Sequence, residues 1–334
     1  MYRKQLVCNA DKLFFNLRIC ILTFGHFHAY IKIKMYRAKK LIHAEKAYKN
    51  GYYGEGVTIA LLDSGLNAKH PDLKDRLTYF YDYEDGKISC YDDNGHGTHV
   101  AGIICGNGSL SRGKYAGMAP KAKLVVLKVL DAKGNGSTEH VLKALDWIQK
   151  NYRKYNIKLL NFSIGYLPGA KFEEKKLLLD AIDELWDLGV MVIAAAGNKG
   201  PSDRSITVPG ISRRVLTVGA CDDQNELPQN LKKGYSGKGP TDCCIVKPEV
   251  LAPGTKIVST GINSRTGTFG YVEKSGTSMA TPIVCGAMAL AFEKNKELTP
   301  AGLKLIVYQS CSLVEASYRN AWGMIHVDNM LDMI

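Results

Sequence analysis

Residues 276–282 read Gly-Thr-Ser-Met-Ala-Thr-Pro and lead directly into an apolar stretch at 283–292. A serine at such a glycine-flanked strand-to-helix corner holds its hydroxyl near backbone N–H groups that no helical turn satisfies. Those N–H groups would stabilise a negative charge that develops beside Ser278, as a nucleophile requires. Serine also caps helices for purely structural reasons, so this corner alone leaves both interpretations open.

A carboxylate lies upstream, at the end of a predicted strand. Residues 56–65 read Gly-Val-Thr-Ile-Ala-Leu-Leu-Asp-Ser-Gly, which predicts a short apolar strand that ends on Asp63. Ligand sites of open parallel sheets form at the carboxyl ends of strands, so Asp63 is a candidate site residue. An aspartic-protease site would need two such carboxylates, and the chain has one Asp-Ser/Thr-Gly.

A histidine lies between two glycines at a predicted helix start. Residues 92–102 read Asp-Asp-Asn-Gly-His-Gly-Thr-His-Val-Ala-Gly. The small residues let this helix approach its neighbours closely and leave the His96 imidazole room to face a partner. His96 and His99 lack the His-Glu-x-x-His spacing and a nearby third ligand, so we expect no metal here and assign His99 to packing.

Together these segments resemble the three signature blocks of the subtilisin-like serine proteases, the subtilases. The order Asp63, His96, Ser278 differs from that of chymotrypsin-like enzymes and of α/β-hydrolases. The resemblance runs from about Tyr53 to the C-terminus. It implies an α/β, subtilisin-like three-layer fold with a mostly parallel central sheet and helices on both faces. It also implies a serine endopeptidase with these three residues as the catalytic triad.

The resemblance assigns further residues around that triad. Asn198, after the apolar run 190–196 and a turn glycine, matches the block that supplies the oxyanion-hole side chain. Substrate recognition in the family resembles the addition of an extended peptide strand. The segments that look like the binding edges and a roomy, apolar pocket are Gly134, Asn135 and Gly136; Ser163, Ile164 and Gly165; and Ala195, Ala196 and Gly197.

The implied mechanism starts from a neutral His96 that takes the Ser278 proton, with Asp63 orienting the imidazole. We therefore expect activity to fall on acidification through the histidine range, roughly pH 6–7. Two alternatives stay open: a catalytically silent subtilase fold that serves in binding or regulation, and a transpeptidase in which an amine captures the acyl-enzyme.

Apolar strands alternate with amphipathic helices between the signature blocks. Helices are predicted at 137–150 and 173–188, with Gly189 as a stop, and a third helix is predicted to start at Thr299-Pro300. This alternation is typical of right-handed βαβ units and a parallel sheet covered on both sides.

The net charge of +12 over 334 residues is concentrated at the N-terminus. Residues 1–50 hold eleven Lys/Arg and two Asp/Glu, a net of +9, which leaves +3 for the remainder. We therefore predict a basic extension at 1–50 and a peptidase domain at 51–334, with an extended peptide as partner and neither nucleic acid nor membrane. Met35-Tyr-Arg echoes Met1-Tyr-Arg, so residues 1–34 are hypothesised to lie outside the natural protein. The oligomeric state is left open.

Location and cofactors follow from smaller signals. The partly apolar stretch 13–30 is interrupted by Asn16, Arg18, His26 and His28, which makes it a poor signal peptide. Too few residues precede Asp63 for the folded prodomain of secreted subtilases. Nine cysteines, an odd number, favour reduced thiols, so we expect a cytoplasmic protein without excluding secretion by a non-standard route.

No cofactor is required by the implied chemistry. The family's calcium loop corresponds here to 105–117, which holds Arg112 and Lys114 but no carboxylate, so we expect that calcium site to be absent. A structural calcium elsewhere is left open, with the candidate ligands Asp82, Asp85, Asp92 and Asp93.

Overall fold

The computed structural model describes residues 35–164, 172–222, 234–241, 246–262, 268–314 and 321–334. Its strands within these ranges are β1 (Thr58–Asp63), β2 (Leu77–Asp82), β3 (Lys123–Lys128), β4 (Ile157–Phe162), β5 (Met191–Ala195), β6 (Leu216–Ala220), β7 (Val250–Ala252), β8 (Ile257–Ile262), β9 (Phe269–Lys274) and β10 (Gly323–Met324). Its α-helices are α1 (Met35–Leu41), α2 (Glu45–Lys49), α3 (His96–Cys105), α4 (Thr138–Asn151), α5 (Phe172–Asp187), α6 (Thr277–Lys294), α7 (Pro300–Ser310) and α8 (Val327–Asp332).

Eight of these strands form the central sheet, in the order β10-β7-β6-β5-β4-β1-β3-β2. All of its strand pairs are parallel. In the pairing of β1 with β3, Asp63 lies beside Lys128. The last residues of these strands therefore lie along one carboxyl edge of the sheet. The strands β8 and β9 form a separate antiparallel hairpin.

Alternate residues of the strands face the two sides of the sheet. On β1, Ile59 and Leu61 join the buried cluster that includes α3 and α6, whereas Ala60 and Leu62 join the cluster that includes α4 and α5. Both faces of a parallel sheet are buried, which explains why β1 is apolar throughout. The predicted three-layer α/β fold with helices on both faces is confirmed.

The helix boundaries follow the predicted start and stop residues. The Ser137 hydroxyl accepts a hydrogen bond from the His140 N–H at 3.1 Å and caps α4. Thr299 caps α7 with Pro300 at its first position, and Gly189, after α5, has φ +87°. None of the helices in the described ranges is both long enough and apolar enough to cross a bilayer.

The compact unit of the structure begins earlier in the chain than the boundary predicted after residue 50. The compact unit begins at Met35, and Met35, Ile42 and Ala47 are fully buried in the α3–α6 core. Helix α2 is also bonded to α8, because the Asp328 carboxylate accepts from the Ala47 N–H at 3.1 Å. Residues 35–49 therefore belong to the peptidase domain. Residues 1–34 lie outside the described residues, and their separateness stays a prediction.

Candidate active site

Asp63 and His96 meet at the carboxyl edge of the sheet. Asp63 ends β1 with a fully buried side chain, and His96 is the first residue of α3. The His96 Nδ1 and the Asp63 Oδ1 are 2.7 Å apart. Because a carboxylate accepts, Nδ1 carries the hydrogen and Nε2 is left as the basic nitrogen. The structure thus brings His96 and Asp63 into contact, and their roles as base and orienting carboxylate stay a prediction.

Asp92 fixes the start of the His96 helix. Its Oδ1 accepts from the Ser64 hydroxyl at 2.9 Å and the Gly95 N–H at 2.7 Å, and its Oδ2 accepts from the Thr98 N–H at 2.8 Å. Burial alone would raise the pKa of Asp92, but the hydrogen bonds from Thr98, Gly95 and Ser64 hold it below its ordinary value.

Sequence reasoning gave Asp92 no role in the site and named it only as a possible calcium ligand. Its carboxylate instead joins the residue after Asp63 to the helix of His96. The available signal was its place in Asp-Asp-Asn-Gly before a helix, because Asp commonly bonds backbone N–H groups at such turns.

Ser278 is the second residue of α6, directly after the corner at Gly276. Its hydroxyl donates to the main-chain carbonyl of Ser163 at 2.8 Å rather than to His96. Phe162 pairs with Leu62, so Ser163 and Asp63 occupy the same level of neighbouring strands. The hydroxyl must rotate before it can donate to His96, and catalytic hydrogen bonds often tighten only when substrate is bound.

Asn198 lies against the first turn of α6. Its Oδ1 accepts from both the N–H and the hydroxyl of Thr277, each at 3.0 Å. The Nδ2 amide is therefore left as the donor end of this side chain. A Cβ on Gly276, which has φ +151°, would lie 3.1 Å from this Nδ2, so a glycine here gives the amide room. Thr277 is a site residue that sequence reasoning missed.

Two of the predicted substrate segments lie beside different members of the site. Ser163, and with it Ile164, lies on the Ser278 side, while Gly165 falls outside the described residues. The 131–136 loop, which contains Gly134, Asn135 and Gly136, lies on the His96 side. There the Asn94 amide donates to the Ala132 carbonyl at 3.1 Å and also accepts from the His96 N–H.

The third predicted substrate segment is buried. Ala195, Ala196 and Gly197 all lack appreciable exposure. The Ala196 carbonyl accepts from the Thr207 N–H at 3.0 Å, and a Cβ on Gly197 would lie 2.6 Å from the Thr207 methyl carbon. Thr207, which sequence reasoning did not name, therefore covers this segment. The role of the segment as a pocket wall stays a prediction.

His99 is packed inside the protein, as expected. Its Nε2 donates toward the carbonyls of Ile257 and Val272 at 3.2 and 3.1 Å, which ties α3 to the hairpin of β8 and β9. Burial lowers the pKa of His99 to about 3, with smaller contributions from Lys274 and His96, so the imidazole is neutral. Within the described ranges, no group of three or more His, Cys, Asp or Glu side chains is arranged to hold a metal ion.

Comparison with known proteins decides the family. The model of the subtilase family matches residues 54–328. The chain belongs to the subtilase family. Subtilases are serine-type peptide hydrolases, so the predicted family and enzyme class are confirmed.

Named relatives and solved structures agree with this membership. This subtilase is 38% identical to serine protease AprX of Bacillus subtilis (strain 168) over 293 residues. The match covers 82% of this chain and 66% of AprX. It is 31% identical over 290 residues to subtilisin DY of Bacillus licheniformis, covering 86% and 95% of the two chains. The structure of sphericase matches with a TM-score of 0.66 and 31% identity over 77% of this chain and 84% of that one. A cold-adapted subtilisin-like serine proteinase matches with a TM-score of 0.63 and 30% identity, covering 82% and 88%. The chain thus spans about two thirds of the length of AprX.

Proposed function

We propose that this subtilase is an endopeptidase that cleaves extended polypeptide segments, with Asp63, His96 and Ser278 as its catalytic triad. The observation that carries the proposal is the 2.7 Å contact between the His96 Nδ1 and the buried Asp63 carboxylate. It supports an imidazole whose Nε2 is the basic nitrogen, and Ser278 lies in the first turn of α6.

The proposed chemistry uses groups of this chain alone and needs no cofactor. The His96 Nε2 removes the Ser278 proton as the hydroxyl oxygen attacks the peptide carbonyl, and Asp63 stabilises the resulting imidazolium. The Ser278 N–H and the Asn198 Nδ2 donate to the oxyanion. His96 then protonates the leaving amine, and a water that His96 activates hydrolyses the acyl-enzyme.

The substrate class rests on backbone rather than side-chain recognition. The 131–136 loop lies beside the His96 turn and Ser163 beside Ser278, so a peptide between them would cross the nucleophile. An extended chain that pairs with such edges is held by main-chain hydrogen bonds. Unfolded segments are therefore the proposed substrates.

A reducing compartment such as the cytoplasm is the proposed place of action. Four cysteines within the described ranges carry free thiols: Cys90, Cys105, Cys285 and Cys311. Free thiols persist where cellular reductants keep them reduced. Thiol counting on protein isolated from cells under acid quench would test this, and disulfides among these four would contradict it.

Active-site labelling tests the activity itself. Wild-type protein incubated with a fluorophosphonate should be labelled at Ser278, and Ser278→Ala should abolish both labelling and cleavage of an unfolded protein substrate. Ser202→Ala, a change at an exposed loop serine, should leave both unchanged. Absence of Ser278-dependent labelling in folded protein would instead favour the alternative of a catalytically silent subtilase fold that serves in binding or regulation. Mass spectrometry of the products with an added amine would reveal transpeptidation.

A further inference from the structure

Lys128 is a buried cation at the carboxyl edge of the sheet, and the proposed mechanism does not use it. It ends β3 directly beside Asp63 in the parallel register, and its side chain is 1% exposed. Burial of an ammonium group is costly unless it is fully paired. The partners of Lys128 therefore indicate what its charge is for.

All three hydrogens of the Lys128 ammonium have acceptors. Its Nζ donates to the Ser64 carbonyl at 3.0 Å, to the Asp93 Oδ1 at 2.8 Å and to the Leu130 carbonyl at 2.5 Å. An ammonium group has three donor hydrogens, so none is left over. The Tyr91 ring, whose centroid is 5.2 Å from the Nζ, adds a fourth favourable contact.

These acceptors belong to three different parts of the site. Ser64 follows Asp63, Asp93 lies three residues before His96, and Leu130 precedes the 131–136 loop. An isolated bridge between Leu130 and Gly136 closes that loop at its base. One ammonium group thus connects three chain segments, which lie next to the orienting carboxylate, the base and a predicted substrate edge.

Ser64 is held at both of its polar ends. Its hydroxyl accepts from the Gly97 N–H at 3.0 Å and donates to Asp92, while its carbonyl accepts from Lys128. Two neighbouring carboxylates hold Ser64 in place. Asp92 binds its hydroxyl directly, and Asp93 binds Lys128, which in turn binds its carbonyl. The turn after Asp63 therefore cannot shift against the helix of His96 without loss of several bonds.

We propose that Lys128 is a positioning residue, which fixes Asp63 relative to His96 and sets the 131–136 loop for substrate. The inference rests on the proposed function. An apolar side chain of the same volume could fill this space, but it could not bind the three acceptors and would leave them unpaired. Small displacements of reacting groups cost about 10²-fold in rate, which is the effect that the ammonium prevents.

Lys247 provides a matched control for the test. It is also fully buried, and its Nζ donates to the Ser212 carbonyl at 2.6 Å and to Glu249 at 2.8 Å. Glu249 precedes the first residue of β7, so this pair lies at the amino edge of the sheet, away from the triad. A purely structural role for Lys128 would make the two lysines equivalent.

The experiment compares Lys128→Met with Lys247→Met in the full chain. We expect Lys128→Met to lower both kcat on an unfolded protein and the fluorophosphonate labelling rate by about 10²-fold, and Lys247→Met to lower only the melting temperature. An unchanged labelling rate in folded Lys128→Met protein overturns the inference, whatever happens to KM. Labelling of wild-type protein measures the proposed function separately, since that rate depends on neither substitution.

Variants of Asp93 keep the inference testable if Lys128→Met fails to fold. The Asp93 side chain is 38% exposed, so its replacement disturbs the core less. Asp93→Ala should slow labelling about 10-fold or more, because one bond to a charged donor is lost. Asp93→Asn keeps an acceptor oxygen and should recover part of that rate. Full labelling rates in folded Asp93→Ala protein would contradict the inference.

Discussion

The two edges of the central sheet each bury a lysine, but they differ in what surrounds it. At the carboxyl edge the carboxylate partner of Lys128 is 38% exposed, and His96 nearby is 23% exposed. At the amino edge the Glu249 partner of Lys247 is 5% exposed and is shared with Lys304 at 2.8 Å. At the amino edge both members of the ion pair are thus buried, whereas at the carboxyl edge Asp93 and His96 remain partly exposed to solvent.

The pKa of Lys247 shows that its burial at the amino edge disfavours the charged form. Burial lowers the pKa of Lys247 to about 8, although Glu249 opposes this shift. The burial of Lys247 with Glu249 therefore costs free energy, which the hydrogen bonds from Lys247 to Val215 and Thr217 offset. We conclude that the amino edge stabilises the fold and the carboxyl edge serves the reaction, and substitutions at the two edges should separate these effects.

The largest expected effect is at the carboxyl edge, in Asp63→Asn. The amide keeps the size of the side chain but favours the wrong tautomer of His96, so kcat should fall about 10⁴-fold. The melting temperature should change far less than the activity. Steady-state kinetics and thermal unfolding of the same preparation measure both. A kcat near the wild-type value would remove Asp63 from the triad.

At the amino edge, Lys247→Met should act on stability alone. Removal of one partner of a buried ion pair costs about 3–5 kcal/mol, and Lys304 still binds Glu249, so we expect the lower end of this range. Urea unfolding measures the change, with kcat of the folded enzyme unaltered. Lys150→Met, which breaks an exposed pair with Asp146, should cost under about 1 kcal/mol. Equal losses in the two variants would contradict the contrast between the edges.

Asn198→Ala should again affect the reaction and not the fold. Loss of an oxyanion donor typically lowers kcat about 10²–10³-fold with little change in KM. Asn198→Asp is the matched variant, because it keeps the acceptor for Thr277 but has no amide hydrogen. Its kcat should be no higher than that of the alanine variant. A kcat for Asn198→Asp close to wild type would exclude the amide as a donor.

The smallest effect concerns His99, which stabilises the fold although it lies only three residues from His96. Its pKa of about 3 in the folded protein is below the ordinary value near 6.5. As pH falls below 6.5 the unfolded chain takes up a proton that the folded protein does not, so stability is lost progressively down to pH 3.

At pH 5 the loss due to His99 should be about 2 kcal/mol relative to pH 7. Urea unfolding at the two pH values measures it. In His99→Gln, which can still donate to the carbonyls of β8 and β9, the difference between the two pH values should shrink by that amount. The same difference in both proteins would show that another group causes the acid sensitivity.

Local signals in the sequence predicted the fold and the catalytic candidates. Ser137, Thr299 and Gly189 mark helix ends through contacts within a few residues, and the strand of Asp63 is apolar because both of its faces are buried. The burial of residues 35–49 was not predicted, because the charges of Arg37, Lys39 and Lys40 obscured the spacing of Met35, Ala38 and Ile42.

Contacts across the chain were not readable in the same way. Lys128 meets Asp93 and Ser64 only because β3 lies beside β1, and the sequence does not state strand order. The partner of the Ser278 hydroxyl is a backbone carbonyl, which every residue has and which therefore leaves no trace in residue type.

The contact between α2 and α8 has a consequence for how the polypeptide tolerates being cut. The Ile42 carbonyl accepts from the Val327 N–H at 2.8 Å, and Asp328 binds the start of α2. The last helix of the described chain thus contacts residues near the start of the described chain. After a single cut in an exposed loop, the two fragments would still be held together by the shared core and by the contact between α2 and α8.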